Sequence, residues 1–318
     1  MKKGWTFLAL TVFLCLPMAF NALAADKVRV GSAVKIAPEY YLPLDAATEK
    51  GFWKDNGLDA ELVPFMAGAP FAQAMAAGAI DAGVTAGGSA VFLASQGVPV
   101  HIISELITSA PFAIYVRGDS KMKEPKDLAG AKIGVPRLGS ISEFLGRSVV
   151  RRLGIEKDVK FIGAGGLPEL LAGLKAGTLD ATVEPPTVAI NMKIKGEIRQ
   201  IADTADFLPK EWVEHVVTSR KEFTTKNPEV TRRAVKAVVQ GTDYVKKNPR
   251  WAMDRMKVVS AFSEEGAKEI YDFIKWTKDG KVPRIALENV VNFMIDWKLV
   301  SKEKVPPLDQ LYTEQFLR

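Results

Sequence analysis

Three serines, an arginine, a glutamate and a tyrosine carry most of the chemistry this chain offers. Ser32 closes the alternating run Val28-Arg-Val-Gly-Ser32. Gly87-Gly-Ser89 and Leu138-Gly-Ser140 each precede an apolar helical run. Each therefore sets backbone N–H groups and a hydroxyl at the positive end of a helix, with the backbone of Gly88 beside Ser89, an arrangement that suits an anion. Ser140 with Glu143 is also a capping box, which needs no ligand. Capping alone and capping with ligand contact both stand for Ser89 and Ser140, and their matching positions favour the second. Arg137 has the planar donor fork that pairs with a carboxylate or sulfonate, or it is a solvated surface arginine. Glu184 sits at a strand end before Pro185-Pro186. It accepts either an amine or ring N–H of a ligand or a buried structural hydrogen bond. Tyr40 and Tyr41 are neighbours on a helix, so at most one lines a site; Tyr40 is the candidate and Tyr41 its alternative.

Other signals carry less. Gly163-Ala-Gly-Gly166 lacks the spacing of a dinucleotide fingerprint and the lysine of a phosphate loop. The two histidines, His101 and His215, are isolated in the chain and read as packed or surface residues rather than as ligands or bases. No catalytic triad, zinc motif or clear carboxylate pair is visible, so neither a metal nor a cofactor is expected.

These candidates gain meaning from the elements that must hold them. The phrase Met75-Ala-Ala-Gly-Ala-Ile-Asp-Ala-Gly-Val-Thr85 returns as Leu174-Lys-Ala-Gly-Thr-Leu-Asp-Ala-Thr-Val-Glu184. In each copy a helix ends at the glycine, and the apolar residue with Asp-Ala opens a buried strand. A spacing of about one hundred residues is too long for a solenoid and indicates two similar α/β lobes facing across a cleft. The first lobe reads strand, helix, strand, helix, strand, with strands at Val28–Ser32, Ala60–Phe65 and Asp81–Thr85. The second repeats this at Ala131–Val135, Val159–Ile162 and Asp180–Glu184. Such alternation favours parallel sheets with helices on both faces. Phe112–Arg117 and Glu214–Arg220 read as two crossing strands, so the chain leaves the first lobe, builds the second and returns, which gives a hinge. The expected fold is thus α/β, two doubly wound lobes joined by two crossing strands, with C-terminal helices packed on the first lobe. Its divisions are a signal peptide at 1–24, a first lobe at 25–113 plus 218–318, and a second lobe at 114–217. In open α/β sheets ligands sit beyond the carboxyl ends of the strands, where Ser32, Ser89, Ser140 and Glu184 all fall.

The N-terminus runs Met1-Lys2-Lys3, an apolar stretch from Trp5 to Phe20, then Ala22-Leu23-Ala24, the order of a cleaved secretory signal. Cleavage after Ala24 would remove Cys15, the one cysteine, and with it any disulfide, thiolate nucleophile or thiolate metal site. Formal charge falls from +6 to +4 without Lys2 and Lys3. This mild, dispersed surplus is no nucleic-acid footprint.

Several of these pieces together resemble one family. Glu49-Lys-Gly-Phe-Trp-Lys-Asp-Asn-Gly-Leu58, the two Ala-Gly-x-[Ile/Leu]-Asp-Ala phrases, and Lys126-Asp-Leu-Ala-Gly-Ala-Lys-Ile-Gly-Val-Pro136 followed by Gly139-Ser140 are similar to periplasmic solute-binding proteins of ABC transporters. The family serves nitrate, taurine, alkanesulfonates and thiamine precursors, and the likeness spans residues 28 to 220. It implies a type II periplasmic binding protein, acting as a monomer in the periplasm. Such a protein would close on a small organic anion (a sulfonate, carboxylate, nitrate-like ion or pyrimidine precursor) and deliver it to a membrane permease with its ATPase. The resemblance places ligand contacts at Ser32, Ser89, Ser140 and Glu184. Two other classes share it. Enzymes of the same fold, a desulfinase or a thiamine-pyrimidine synthase, need cysteines that the mature chain lacks, and an exported ligand sensor would carry the same residues.

Overall fold

The computed structural model describes residues 25–109 and 112–317; the expected signal peptide lies outside them. The first lobe runs β1 (Asp26–Ser32), α1 (Pro38–Glu49), α2 (Phe52–Asp55), β2 (Leu58–Pro64), α3 (Gly68–Ala76), β3 (Ala82–Ala86), α4 (Gly87–Ser95) and β4 (Val100–Ile107). The second runs β5 (Ala113–Arg117), β6 (Lys132–Val135), α5 (Ile141–Arg152), β7 (Lys160–Gly163), α6 (Leu167–Ala176), β8 (Ala181–Glu184), α7 (Pro186–Ile194) and β9 (Ile198–Asp203). The chain returns through β10 (His215–Arg220) and ends in α8 (Lys221–Lys226), α9 (Pro228–Lys247), α10 (Pro249–Ser260), α11 (Glu264–Phe273), α12 (Arg284–Asp296) and α13 (Leu308–Leu311).

The two sheets share one topology. Their orders are β2-β1-β3-β10-β4 and β7-β6-β8-β5-β9. In each, the repeated unit supplies parallel strands and one strand runs against them, β10 in the first and β5 in the second. The sheets are therefore mixed rather than purely parallel, and β4 and β9, which the sequence reading did not identify, complete them. The extended segments read as crossing strands are β5 and β10, each held wholly in one sheet. The crossings themselves fall on residues 108–112 and 204–214. The lobe boundaries shift accordingly. Ala113 pairs with Glu184 and Asp203 in the second sheet, while His215, Val216 and Val217 pair with β3 in the first.

The repeated phrase performs the same task twice. Gly78 and Gly177 turn the chain at φ 72° and 69°, in the left-handed region that glycine enters at no steric cost. The following Asp then ties the new strand to the first one. Asp81 Oδ2 accepts the Arg29 N–H at 3.0 Å, and Asp180 Oδ2 accepts the Lys132 N–H at 2.8 Å. Asp81 also pairs with the guanidinium groups of Arg29 and Arg220, each at 2.8 Å. Those cations hold its carboxyl below the usual range against the opposing effect of burial. Glycines on the strands let helices close down on the sheets. A Cβ on Gly83 would lie 2.6 Å from both the Gly31 carbonyl and the buried Phe71 ring of α3.

Each lobe has its own core. The stripe Ala234, Val235 and Val238 of α9 packs with Val28, Val30 and Leu42, and Trp53 belongs to the same cluster. In the second lobe Ile133, Val135, Val149 and Val183 are buried together. The C-terminal helices cover the first lobe, chiefly α9 against α1 and α12 against α4, and α11 also reaches α7 of the second lobe.

Candidate functional site

Connectivity forces the carboxyl edges of the two sheets to face each other. One crossing leaves the end of β4 and enters the start of β5; the other leaves the end of β9 and enters the start of β10. The start of β5 lies beside Glu184 at the carboxyl end of β8, and the start of β10 lies beside Ala86 at the carboxyl end of β3. Ile107 and Ala113 are six residues apart, so the two edges lie within about 20 Å. Both crossings are bonded together at their ends: the Thr204 N–H and Oγ1 both donate to the Phe112 carbonyl, at 3.1 and 3.0 Å, and the Glu214 N–H donates to the Ile107 carbonyl at 2.9 Å.

The lobes also touch beside this edge. Leu145 of α5 belongs to a first-lobe core cluster, Phe144 packs on Trp297 with ring centroids 6.0 Å apart, and the Arg151 guanidinium lies 3.8 Å from the Trp297 centroid. Ile190 of α7 joins the other first-lobe cluster, and Lys193 forms an ion pair with Glu269 of α11.

The facing edges also carry buried polar atoms with no partner. Eight such side-chain atoms occur among the described residues, and six belong to the facing edges: Ser32 Oγ, Glu39 Oε2, His215 Nδ1 and Nε2, Glu184 Oε1 and Thr187 Oγ1. The other two, Glu105 Oε1 and Trp276 Nε1, lie on β4 and on the segment bridged to Ile107. A buried polar group without a partner costs about 1–3 kcal/mol, so such atoms are few in native proteins and mark strain, ordered water or a ligand. The six come from both lobes, Ser32, Glu39 and His215 from the first and Glu184 and Thr187 from the second.

Local sequence explains how each is placed. Pro38 starts α1, which puts Glu39 on its first turn, 3 % exposed and directly after the β1 loop. His215 is the first residue of β10, 1 % exposed, and its ring packs at a right angle to that of Tyr40 with centroids 4.4 Å apart. Glu214 precedes it; its carbonyl accepts the Gly87 N–H at 2.7 Å and its Oε2 accepts the Trp212 indole N–H at 2.8 Å. Glu184 ends β8, and Pro186 starts α7 so that Thr187 follows on its first turn.

Burial shapes the charge of this set. It pushes the carboxyls of Glu39 and Glu184 up to about 7. Burial, together with the nearby charge of Glu39 and against the Trp212 bond, pushes Glu214 up to about 8. Burial drives His215 down to about 3, so its imidazole is neutral and offers one donor and one acceptor.

The residues singled out from sequence divide into two groups. Ser32 and Glu184 lie among the unpartnered atoms, and Tyr40 lies against His215. Tyr41 turns into the core and bonds Ser260 Oγ at 2.9 Å. Ser140 is the N-cap of α5, accepting the Glu143 N–H at 3.4 Å, and the Glu143 carboxylate accepts the Gly139 N–H at 2.6 Å. The start of α5 thus already holds an anion of its own. The N-cap of α4 is Ala86, so Ser89 sits inside the first turn, exposed, and does not cap the helix; Gly88 is half-buried beside Met294. Arg137 is exposed on the loop before Ser140. Glu39, Thr187, Glu214 and His215 were not among the sequence candidates. The usable signal was an acid inside the loop-to-helix stretch ending at Tyr40, and a Glu-His pair at the start of the returning strand.

Comparison with known proteins agrees with this architecture. The family model described as NMT1/THI5 like matches residues 39–252, more than half of the chain. A protein of Brucella abortus named as a binding protein is 29 % identical over 294 residues, covering 88 % of this chain and 89 % of its own. The 4-amino-5-hydroxymethyl-2-methylpyrimidine phosphate synthase THI5 of Saccharomyces cerevisiae is 23 % identical over 234 residues, covering 66 % of this chain and 64 % of the enzyme, so relatives include an enzyme. The periplasmic aliphatic sulphonate binding protein SsuA of Escherichia coli superposes with a TM-score of 0.74 at 17 % identity, covering 90 % of this chain and 91 % of that one. The paired mixed sheets, the facing carboxyl edges and these matches make the chain a member of the NMT1/THI5-like family with the periplasmic binding protein fold.

Proposed function

We propose that this chain is an exported solute-binding protein. It captures a small polar solute between its lobes in the periplasm and hands it, unchanged, to an ABC-type membrane permease and its ATPase. The observation that carries this reading is the set of unpartnered buried atoms contributed by both lobes, Ser32, Glu39 and His215 from one and Glu184 and Thr187 from the other. A ligand touching both lobes holds them together, so binding and closure are one event. The similarity to a named binding protein and to a sulphonate-binding fold supports it.

Against the enzyme reading stands the nucleophile inventory. The chain has one cysteine, Cys15. Among the described residues the buried Ser32 and Thr187 hydroxyls bond no side chain, so no base is poised on either as a nucleophile. A thermal-shift screen of small solutes tests the proposal. A ligand at 100 times its Kd stabilises by about 2.7 kcal/mol, or about 5–11 °C at 2–4 °C per kcal/mol. Recovery of the hit unaltered by mass spectrometry is the expected result; steady conversion to product refutes the binding-protein reading.

A further inference from the structure

Two acids elsewhere in this fold are paired with arginine, while the buried Glu105 is bonded by the Thr277 hydroxyl. Asp81 has Arg29 and Arg220, and Asp45 has Arg255 at 2.6 Å. The three carboxyls at the facing edges break that pattern. The charged and titratable groups acting on one another around Glu39 and Glu214 are those two acids with Tyr40 and Tyr41, and His215 packs on Tyr40. Tyr115 faces Glu184, with Asp203 and Glu269 beyond it. Among the described residues no lysine or arginine acts on Glu39, Glu184 or Glu214. Arg255 acts on Tyr41 and is engaged by Asp45 and Glu49, and Lys193 is engaged by Glu269.

Two of the groups that would attract an anion are engaged within the protein. Glu143 fills the start of α5, and the Gly87 N–H of α4 is bonded to the Glu214 carbonyl. An oxyanion beside these buried acids would meet like charge wherever they are ionised, a costly arrangement away from water. A cation there meets Glu39 Oε2 and Glu184 Oε1, which have no internal partner, and Glu214, whose Oε2 already accepts the Trp212 indole N–H.

We propose that the solute is a cation rich in N–H donors, an amine, amidine or protonated amino-heterocycle, clasped by Glu39 and Glu214 from the first lobe and Glu184 from the second. The proposal rests on the solute-binding reading and names its ligand class. Ser32 Oγ and the acceptor nitrogen of His215 take further N–H donors, and Tyr40 offers a ring face. Binding of the cation requires ionised carboxyls, so it expels protons that burial keeps on them in the empty site. Affinity for the cation therefore rises with pH up to about 8 and then levels off; an anion would show the reverse.

The test uses the purified mature chain with two matched probe sets, at pH 6 and pH 8.5. Methylguanidinium, benzamidinium, 4-aminopyridinium and putrescine form one set; methanesulfonate, nitrate, acetate and benzoate form the other. Thermal shift finds the hits and calorimetric titration measures them. The expected result is stabilisation by at least one cation, at least tenfold tighter at pH 8.5 than at pH 6. Glu39→Gln, and separately Glu184→Gln in the other lobe, should each weaken it roughly tenfold to a hundredfold, the loss of one charge-assisted bond. Response to oxyanions alone overturns the proposal and leaves the solute-binding reading standing. Silence from every cation overturns the proposal, as does a cation whose affinity ignores both pH and both substitutions. A cation that is converted to product instead overturns the solute-binding reading.

Discussion

Glu214→Gln should make the ligand-free protein less sensitive to alkaline pH. Burial raises the Glu214 carboxyl from the usual 4.5 to about 8, so the folded state holds a proton that the unfolded chain releases. The sign follows from that difference. Stability from this group is fully present below pH 4.5 and is lost as pH rises towards 8. At pH 7 the loss spans 2.5 pH units, at about 1.4 kcal/mol each, or about 3 kcal/mol. Glutamine keeps an oxygen for the Trp212 indole N–H, while its new NH2 group, if unpaired, costs about 1 kcal/mol. The net expectation is a variant slightly less stable than the parent at pH 5 and about 2 kcal/mol more stable at pH 7. At 2–4 °C per kcal/mol, its melting temperature should exceed the parent's by about 4–8 °C at pH 7. Scanning calorimetry of both proteins from pH 5 to pH 8 reads this directly, as two curves that cross. A constant offset between them over the whole range refutes the reasoning, because it would mean that Glu214 ionises in the fold without penalty.

Four further outcomes follow from named contacts. Asp81→Asn should cost about 2–4 kcal/mol by urea unfolding, because two guanidinium groups and a backbone N–H lose their charged acceptor, whereas Asp180→Asn, with the Lys132 N–H as its recorded donor, should cost about 1 kcal/mol. Gly83→Ala places a methyl against the Gly31 carbonyl and Phe71 and should destabilise by about 1–3 kcal/mol or prevent soluble expression; a neutral result would show that β1 and β3 can part. Ser140→Ala should lower stability by about 0.5–2 kcal/mol as a lost cap, while Ser32→Ala, whose hydroxyl has no partner, should leave melting unchanged and weaken the titrated ligand. Trp297→Ala removes the ring that Phe144 and Arg151 pack on across the lobes, so solution scattering should give a larger radius of gyration than the parent, and equal radii would locate closure elsewhere.

The lobes were legible in the chain because a repeated phrase encodes repeated local physics. A glycine with positive φ, an apolar residue and an aspartate that reaches the neighbouring strand's N–H operate within a few residues, so their pattern survives in sequence. For the same reason Ser32 and Glu184 could be placed at strand ends, since each closes a readable strand. β4 and β9 were not read, although their partners β10 and β5 were, because strand pairing across long separations leaves no local period. The charge of the site was hidden altogether. Gly-Ser beside a helix start suggests an anion site, and only the folded chain shows that Glu143 already occupies one such start and that Ser89 lies exposed. Glu39 and Glu214 are 175 positions apart, and neither is unusual alone. Folding sets α1 beside the start of β10, strips both acids of water and, among the described residues, brings no arginine to them. Burial and the absence of a counter-ion are properties of that three-dimensional neighbourhood, so the composition of the site can be read along the chain but its electrostatics cannot.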